Sequence, residues 1–145
     1  MSDAPVNLGQ LLRDGLPLLR AWVDATRALN TTFITAWNGG YLDALWDQMR
    51  VEYPTLWLTY FVRLRGTGDV KIGKSNHVGQ RVDSLYTAAS RGLDLIACYP
   101  APKVHELELH RDFDRYRLNG EWFRAGGNIV AFLSLIGVDL QSFSD

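Results

Sequence analysis

The sequence predicts an α+β fold: a three-stranded antiparallel sheet flanked by helices, preceded by an all-helical N-terminal segment. Three observations predict it. Apolar residues recur at helical spacing up to about residue 51, the period switches to alternation from Leu56, and beyond that point strand-like runs interleave with helical ones. The boundaries follow as 1–55, a helical segment suited to interaction or oligomerisation, and 56–145, the α+β domain.

Leu8, Leu11, Leu12, Leu16, Leu19, Trp22 and Val23 stand three or four apart and predict a helix from about Val6, with Pro17 after Asp14-Gly15 resembling a helix start. Thr31 and Thr32 are read as caps of a second helix through Phe33, Ile34 and Trp37, interrupted at Asn38-Gly39-Gly40. Tyr41–Arg50 is a further short helix with Leu42, Leu45, Trp46 and Met49 on its apolar side, and Pro54 ends the helical half.

In "LWLTYFVRLR" Leu58, Tyr60, Val62 and Leu64 share one face, and Trp57, Thr59, Phe61 and Arg63 the other. Gly66-Thr67-Gly68-Asp69 turns the chain into a second strand, Val70–Gly73. A helix follows with Val78, Val82, Leu85 and Ala89 on one face. The third strand is "LDLIACY", Leu93–Tyr99, ended by Pro100. A helix runs from about Lys103 to Tyr116, "NGEWF" is a turn or short extended piece, and Asn128 caps a last helix carrying Ile129, Val130, Phe132, Leu133 and Leu135.

Composition narrows the function. An apolar content of 47% over 145 residues is ample for a core, while a net charge of −1 argues against a general nucleic-acid-coating protein. The distribution says more: residues 1–55 carry four Arg against six Asp and Glu, whereas Tyr60–Arg91 carries six Lys and Arg against two Asp. The single Cys98 excludes an intramolecular disulfide and a multi-cysteine zinc site, and its apolar surroundings predict a buried, inert thiol. With no bilayer-length apolar run and no secretory pattern in "MSDAPVN", the expectation is a soluble, cytoplasmic protein.

Four features of the second half occur in a telling order: Tyr60 within "TYFV", "KIG" in the second strand, "GKSNHVGQR" with Arg81 eight residues beyond Gly73, and "ELELH" early in the helix after the third strand. From about Leu58 to Leu135 this resembles the GIY-YIG nuclease superfamily. It resembles in particular the branch known from a phage T-five open reading frame and a meiotically up-regulated gene, which shares "KIG", "LHxxF" and "GEWF". The resemblance implies metal-dependent hydrolysis of nucleic-acid phosphodiesters by an endonuclease, with DNA favoured as substrate, Mg²⁺ (or Mn²⁺) as cofactor and a phage or bacterial source. By position, Tyr60 matches the tyrosine of the first motif, Lys71 stands where most members have a second tyrosine, Arg81 matches the helix arginine, and Glu106 matches the metal-binding glutamate. The lysine departs from the superfamily pattern but is common in this branch.

The same residues make chemical sense. Phosphodiester hydrolysis needs an activated water and a counter-charge for the transition state. A tyrosine with a solution pKa of about 10 is a weak base near neutrality, and the Lys71 ammonium would favour its phenolate. Arg81 suits a phosphate held through paired hydrogen bonds. One carboxylate is a normal protein contribution to an Mg²⁺ site. Glu106 shares a helix face with Leu109, His110 and Phe113, whereas Glu108 shares one with Arg111, Asp112 and Arg115, so Glu106 is the inward ligand. Cooperation of Tyr60 with Lys71 requires one strand face, hence an odd pairing sum such as Val62 opposite Lys71 with Arg65–Gly68 as the turn.

Plainer roles stand beside these: a core tyrosine, a solvated strand lysine, an arginine pairing Asp83 or Asp94, a glutamate at a helix N-terminus. His110 is read as a proton shuttle, an outer partner of the site or a satisfied buried histidine, and Glu121 as a structural acceptor or an outer partner. Ser75 and Asn76 are read as caps, with Lys74 and Ser75 as secondary phosphate contacts. His77 and His105 are placed on the surface. Asn119 and Asn128 are the candidates for an asparagine that other superfamily members carry in this region. The rival reading is a catalytically inactive nucleic-acid- or protein-binding module on the same scaffold. Trp22, Trp37 and Trp46 need burial, against the domain, in a homodimer or on a protein partner. A membrane is not among the expected partners.

Overall fold

The computed structural model describes residues 17–89 and 92–143. The expected helical residues between Val6 and Leu16 lie outside them. Helix α1 (Pro17–Gly39) and helix α2 (Leu42–Met49) precede the sheet strands β1 (Leu56–Leu64) and β2 (Val70–Ser75). Then come α3 (Val78–Ala88), β3 (Leu93–Pro102), α4 (His105–Asp112), a 3₁₀ turn at Asp114–Tyr116, β4 (Arg117–Asn119), β5 (Trp122–Phe123), α5 (Gly127–Leu135) and a second 3₁₀ turn at Leu140–Ser142.

The architecture is α+β, but the sheet has five strands rather than three, in the order β3-β1-β2-β5-β4. The extra pair is built from the "NGEWF" region. Strands of three and two residues are too short to show a period of two, so only their pairing reveals them: Val70 faces Phe123 and Lys71 faces Trp122. The β1–β2 hairpin has the odd register, with Val62 opposite Lys71 and Tyr60 opposite Gly73. Tyr60 and Lys71 therefore project from one face.

Both faces of the sheet are covered. On one, Phe61, Val70, Ile72 and Tyr99 pack with Leu109 and Phe113 from α4 and its end and with Ile129, Phe132 and Leu133 from α5. On the other, Leu58, Tyr60 and Val62 pack with Val78 and Val82 of α3 and with Phe33, Leu42 and Trp46 of the N-terminal helices. The continuous apolar run in β3 has a local cause. A bulge between Phe61 and Val62 in the β1–β3 pairing flips the alternation, so Ile96 and Ala97 fall on the first face and Leu95 and Cys98 on the second.

Several local expectations change. Thr31 and Thr32 cap nothing: α1 runs through them, and their hydroxyls donate back to the carbonyls of Arg27 and Ala28, which satisfies them inside a helix. Pro100 does not end β3, because β3 is an edge strand where a missing N–H breaks no ladder. The helix expected to reach Tyr116 stops at Asp112, and Asn128 lies within α5, whose capping position is Gly126. Cys98 is fully buried, and that burial pushes its thiol well up, as an inert sulfur requires.

The N-terminal helices bury their tryptophans in the chain itself. Trp46 is fully buried and Trp22 and Trp37 partly so. Helix α1 covers the open edge of β3, where Asn30 Oδ1 accepts the Cys98 N–H at 2.7 Å. Arg27 donates to the Leu135 carbonyl from Nη2 at 2.8 Å and Nε at 3.2 Å, closing the C-terminus of α5. No described helix is long and apolar enough to cross a membrane.

Candidate active site

Tyr60 is the centre of the constellation. Its ring lies flat across its cross-strand partner: a Cβ on Gly73 would stand 2.5 Å from the phenol Cζ and oxygen. The glycine of "KIG" is thus required by space. It is the only residue type that lets a tyrosine side chain cross the strand at this point.

The charges around the phenol come from three elements. Helix α3 carries Arg81 one turn after its start, and its guanidinium acts on the Tyr60 phenol. Glu121 approaches from the β4–β5 turn and Glu106 from α4. Burial raises the phenol pKa above its ordinary value; the Arg81 guanidinium opposes the rise, and the carboxylates of Glu121 and Glu106 add to it. The phenol is protonated at neutral pH.

Lys71 shares the strand face of Tyr60, but its ammonium is held by Glu121, 2.6 Å from Oε2. The pair is fixed by the β2–β5 register, which sets Lys71 opposite Trp122, the neighbour of Glu121. The cation that acts on the phenol is therefore Arg81, with Lys71 neutralising one of the nearby carboxylates.

Glu106 is buried at 5% exposure, on the inward stripe of α4 with Leu109 and His110, whereas Glu108 is exposed. It stands where β2 runs beyond the short β5. The Ile72 N–H still donates to the Glu121 carbonyl at 3.0 Å, but there the pairing ends, and the Ile72 carbonyl accepts instead from His110 Nε2 at 2.8 Å. A carbonyl only accepts, so this bond fixes the proton on Nε2. The same nitrogen lies 3.5 Å from Glu106 Oε1, and Lys74 Nζ lies 4.0 Å from Oε2. His110 is thus a satisfied buried histidine whose ring lies beside Glu106.

Lys74 completes its contacts with the Lys103 carbonyl at 3.5 Å, and Ser75 Oγ accepts from the His77 N–H at 2.9 Å. Neither Ser75 nor Asn76 caps α3. Asn76 Oδ1 accepts the Trp46 indole N–H at 3.0 Å, and the amides of Gly79 and Gln80 are held by Asp43 of α2. Asn119 lies exposed in the β4–β5 hairpin. His105 was placed on the surface by sequence but packs between Trp22 and Tyr99, with Nε2 2.9 Å from the Tyr99 hydroxyl. Burial lowers its pKa to about 4. His77 is exposed as expected.

Sequence reasoning missed Asp43, the pairing of Glu121 with Lys71, and the Tyr60–Gly73 packing. The last had a signal, since the odd register that unites Tyr60 with Lys71 also sets Tyr60 opposite Gly73. As to a metal, no cluster of three or more His, Cys, Asp or Glu side chains stands ready among the described residues. The donor set is one buried carboxylate, which fits a magnesium-type ion that keeps its waters and excludes a structural zinc cage.

No curated protein and no solved structure matches the chain. A family model does, over residues 58–134, from the start of the hairpin through α5, and so across Tyr60, Lys71, Arg81, Glu106, His110 and Glu121 together. The chain belongs to the T5orf172 domain family, a nuclease-related family of the GIY-YIG-like type found in phage T5 ORF172 and related proteins.

Proposed function

We propose that the protein is a metal-dependent endonuclease that hydrolyses nucleic-acid phosphodiester bonds, with DNA the favoured substrate. The observation that carries this reading is the family match over residues 58–134, which spans Tyr60, Lys71, Arg81, Glu106 and Glu121 together. Arg81, Glu121 and Glu106, from three separate elements, each bear electrostatically on the Tyr60 phenol.

In this reading the exposed Arg81 guanidinium binds the scissile phosphate through paired hydrogen bonds and offsets the charge that grows on it in the transition state. Glu106, flanked by His110 and Lys74, would hold Mg²⁺ or Mn²⁺, which supplies Lewis acidity and counter-charge when bound. Tyr60 serves as the general base. A water oxygen bonds to phosphorus, the bond to the leaving oxygen breaks, the water proton passes to the phenolate, and solvent protonates the leaving oxygen. The phenolate forms as positive charge accumulates: Arg81 supplies some, Lys71 neutralises Glu121, and a cation on Glu106 would neutralise the second carboxylate. The raised pKa makes the active form scarce at neutral pH, so the rate climbs with pH between about 7 and 9.

The test is cleavage of labelled single- and double-stranded DNA and RNA with Mg²⁺ or Mn²⁺, comparing wild type with Glu106→Ala and Arg81→Ala. Metal-dependent cutting that is lost in both variants is the expected result. Binding without cutting under every condition overturns the endonuclease and leaves a nucleic-acid-binding module.

A further inference from the structure

Helix α3 is closed at its N-terminus by a residue from a distant part of the chain. The first turn of a helix leaves N–H groups unpaired, and His77, at the capping position, makes no side-chain bond to them. Asp43, in the first turn of α2, takes them instead: Oδ1 accepts the Gly79 N–H at 2.8 Å and Oδ2 the Gln80 N–H at 3.2 Å. One turn along α2, the Trp46 indole holds Asn76 in the connection that leads into α3. Gly79 makes room for the carboxylate, since a Cβ there would stand 2.8 Å from Asp43 Oδ2. Arg81 follows these gripped amides directly and reaches the Tyr60 phenol.

We propose that Asp43 is a positioning residue for Arg81: by bridging the Gly79 and Gln80 amides it fixes where α3 starts and so holds the guanidinium on Tyr60. The kinetic side of this inference rests on the endonuclease reading; the geometric side does not. Asp43 lies outside the stretch 58–134 that matches the family, so the device belongs to this chain's own N-terminal helices. It also fills the helix N-terminus, ordinarily an anion site, with the protein's own carboxylate. That leaves the phosphate to Arg81.

The experiment measures kcat and KM for Asp43→Ala, Asp43→Asn and Gly79→Ala, each alone and combined with Arg81→Lys, which keeps a cation and residual cutting, with thermal midpoints alongside. Loss of a capping carboxylate predicts a fall in kcat/KM of roughly tenfold for Asp43→Ala, and a smaller one for Asp43→Asn, which keeps one acceptor. Gly79→Ala gives a similar fall although alanine favours a helix over glycine, because the new methyl displaces the carboxylate. In the Arg81→Lys background, where no planar guanidinium fork remains to be aimed, each of the three causes a much smaller loss than in wild type. Losses that multiply there overturn the proposal, since they mark a general effect on stability. Should Asp43→Ala not fold, the two milder variants decide.

If wild type cuts nothing, the endonuclease reading fails and NMR of the Arg81 guanidinium tests the positioning alone. Its wild-type chemical shift should move towards that of a free guanidinium in Tyr60→Phe and in Asp43→Ala or Gly79→Ala. A signal unchanged by the Asp43 and Gly79 substitutions overturns the inference.

Discussion

Gly73→Ala separates a packing requirement from a conformational one. The added methyl would lie 2.5 Å from the Tyr60 phenol Cζ and oxygen, about 1 Å inside ordinary van der Waals contact of about 3.5 Å. Tyr60 is 1% exposed and surrounded by Leu58, Val62, Val78 and Trp46, so the ring has no free space to enter. Overpacking of this kind costs about 1–3 kcal/mol, which lowers Tm by roughly 3–10 °C in a chain of this size. A displacement of about 1 Å at a reacting group lowers kcat on the order of 100-fold. Denaturant unfolding and cleavage kinetics on Gly73→Ala, Tyr60→Ala and the double variant provide the assay. Removing the ring should relieve the clash, so the double variant is more stable than the sum of the two singles implies, with a coupling of at least about 1 kcal/mol. Additive stabilities, or a Gly73→Ala protein with wild-type Tm and kcat, would refute the claim that this glycine exists to seat the tyrosine.

Asn30→Ala leaves the buried Cys98 N–H without its acceptor and should cost about 1–3 kcal/mol in denaturant unfolding. Asn30→Leu should cost a similar amount, because restored volume does not restore the bond; recovery of stability in the leucine variant would show that the site is packing alone. His105 gives a pH dependence. Its folded pKa of about 4 lies below the ordinary 6.5, so the unfolded chain binds more protons between those values. Its contribution is full above about pH 6.5 and is lost as pH falls towards 4, to an extent of up to about 3 kcal/mol. His105→Gln should flatten that acid limb in urea titrations, and an unchanged limb would remove His105 as its source.

The β1–β2 hairpin was legible because alternation and turn chemistry together fix parity: once Gly66 and Gly68 place the turn, Tyr60 and Lys71 fall on one face. The inward position of Glu106 was legible for a similar reason, since a helix of known start has only one stripe facing the sheet. β4 and β5 were not, because two or three residues carry no period and are held by pairing with β2. Thr31 and Thr32 misled because a residue type that caps helices also satisfies itself inside one. His105 misled because proximity to a helix start says nothing about which aromatic rings close over it.

The change of period at residue 56 marks where secondary structure changes, and the hydrogen bonds cross it. Three kinds of backbone group are left open by the α+β part: the outer N–H groups of the edge strand β3, the last carbonyls of α5 and the first amides of α3. Asn30 answers the first, Arg27 the second and Asp43 the third. Their targets lie 68, 108 and 36 residues away in sequence, beyond the reach of any local pattern. One of the three bears on the proposed chemistry, because the helix whose amides Asp43 holds is the helix that carries Arg81 towards Tyr60. The family stretch contains the groups proposed to react, and the part of the chain outside it supplies the contact proposed to fix where one of them stands.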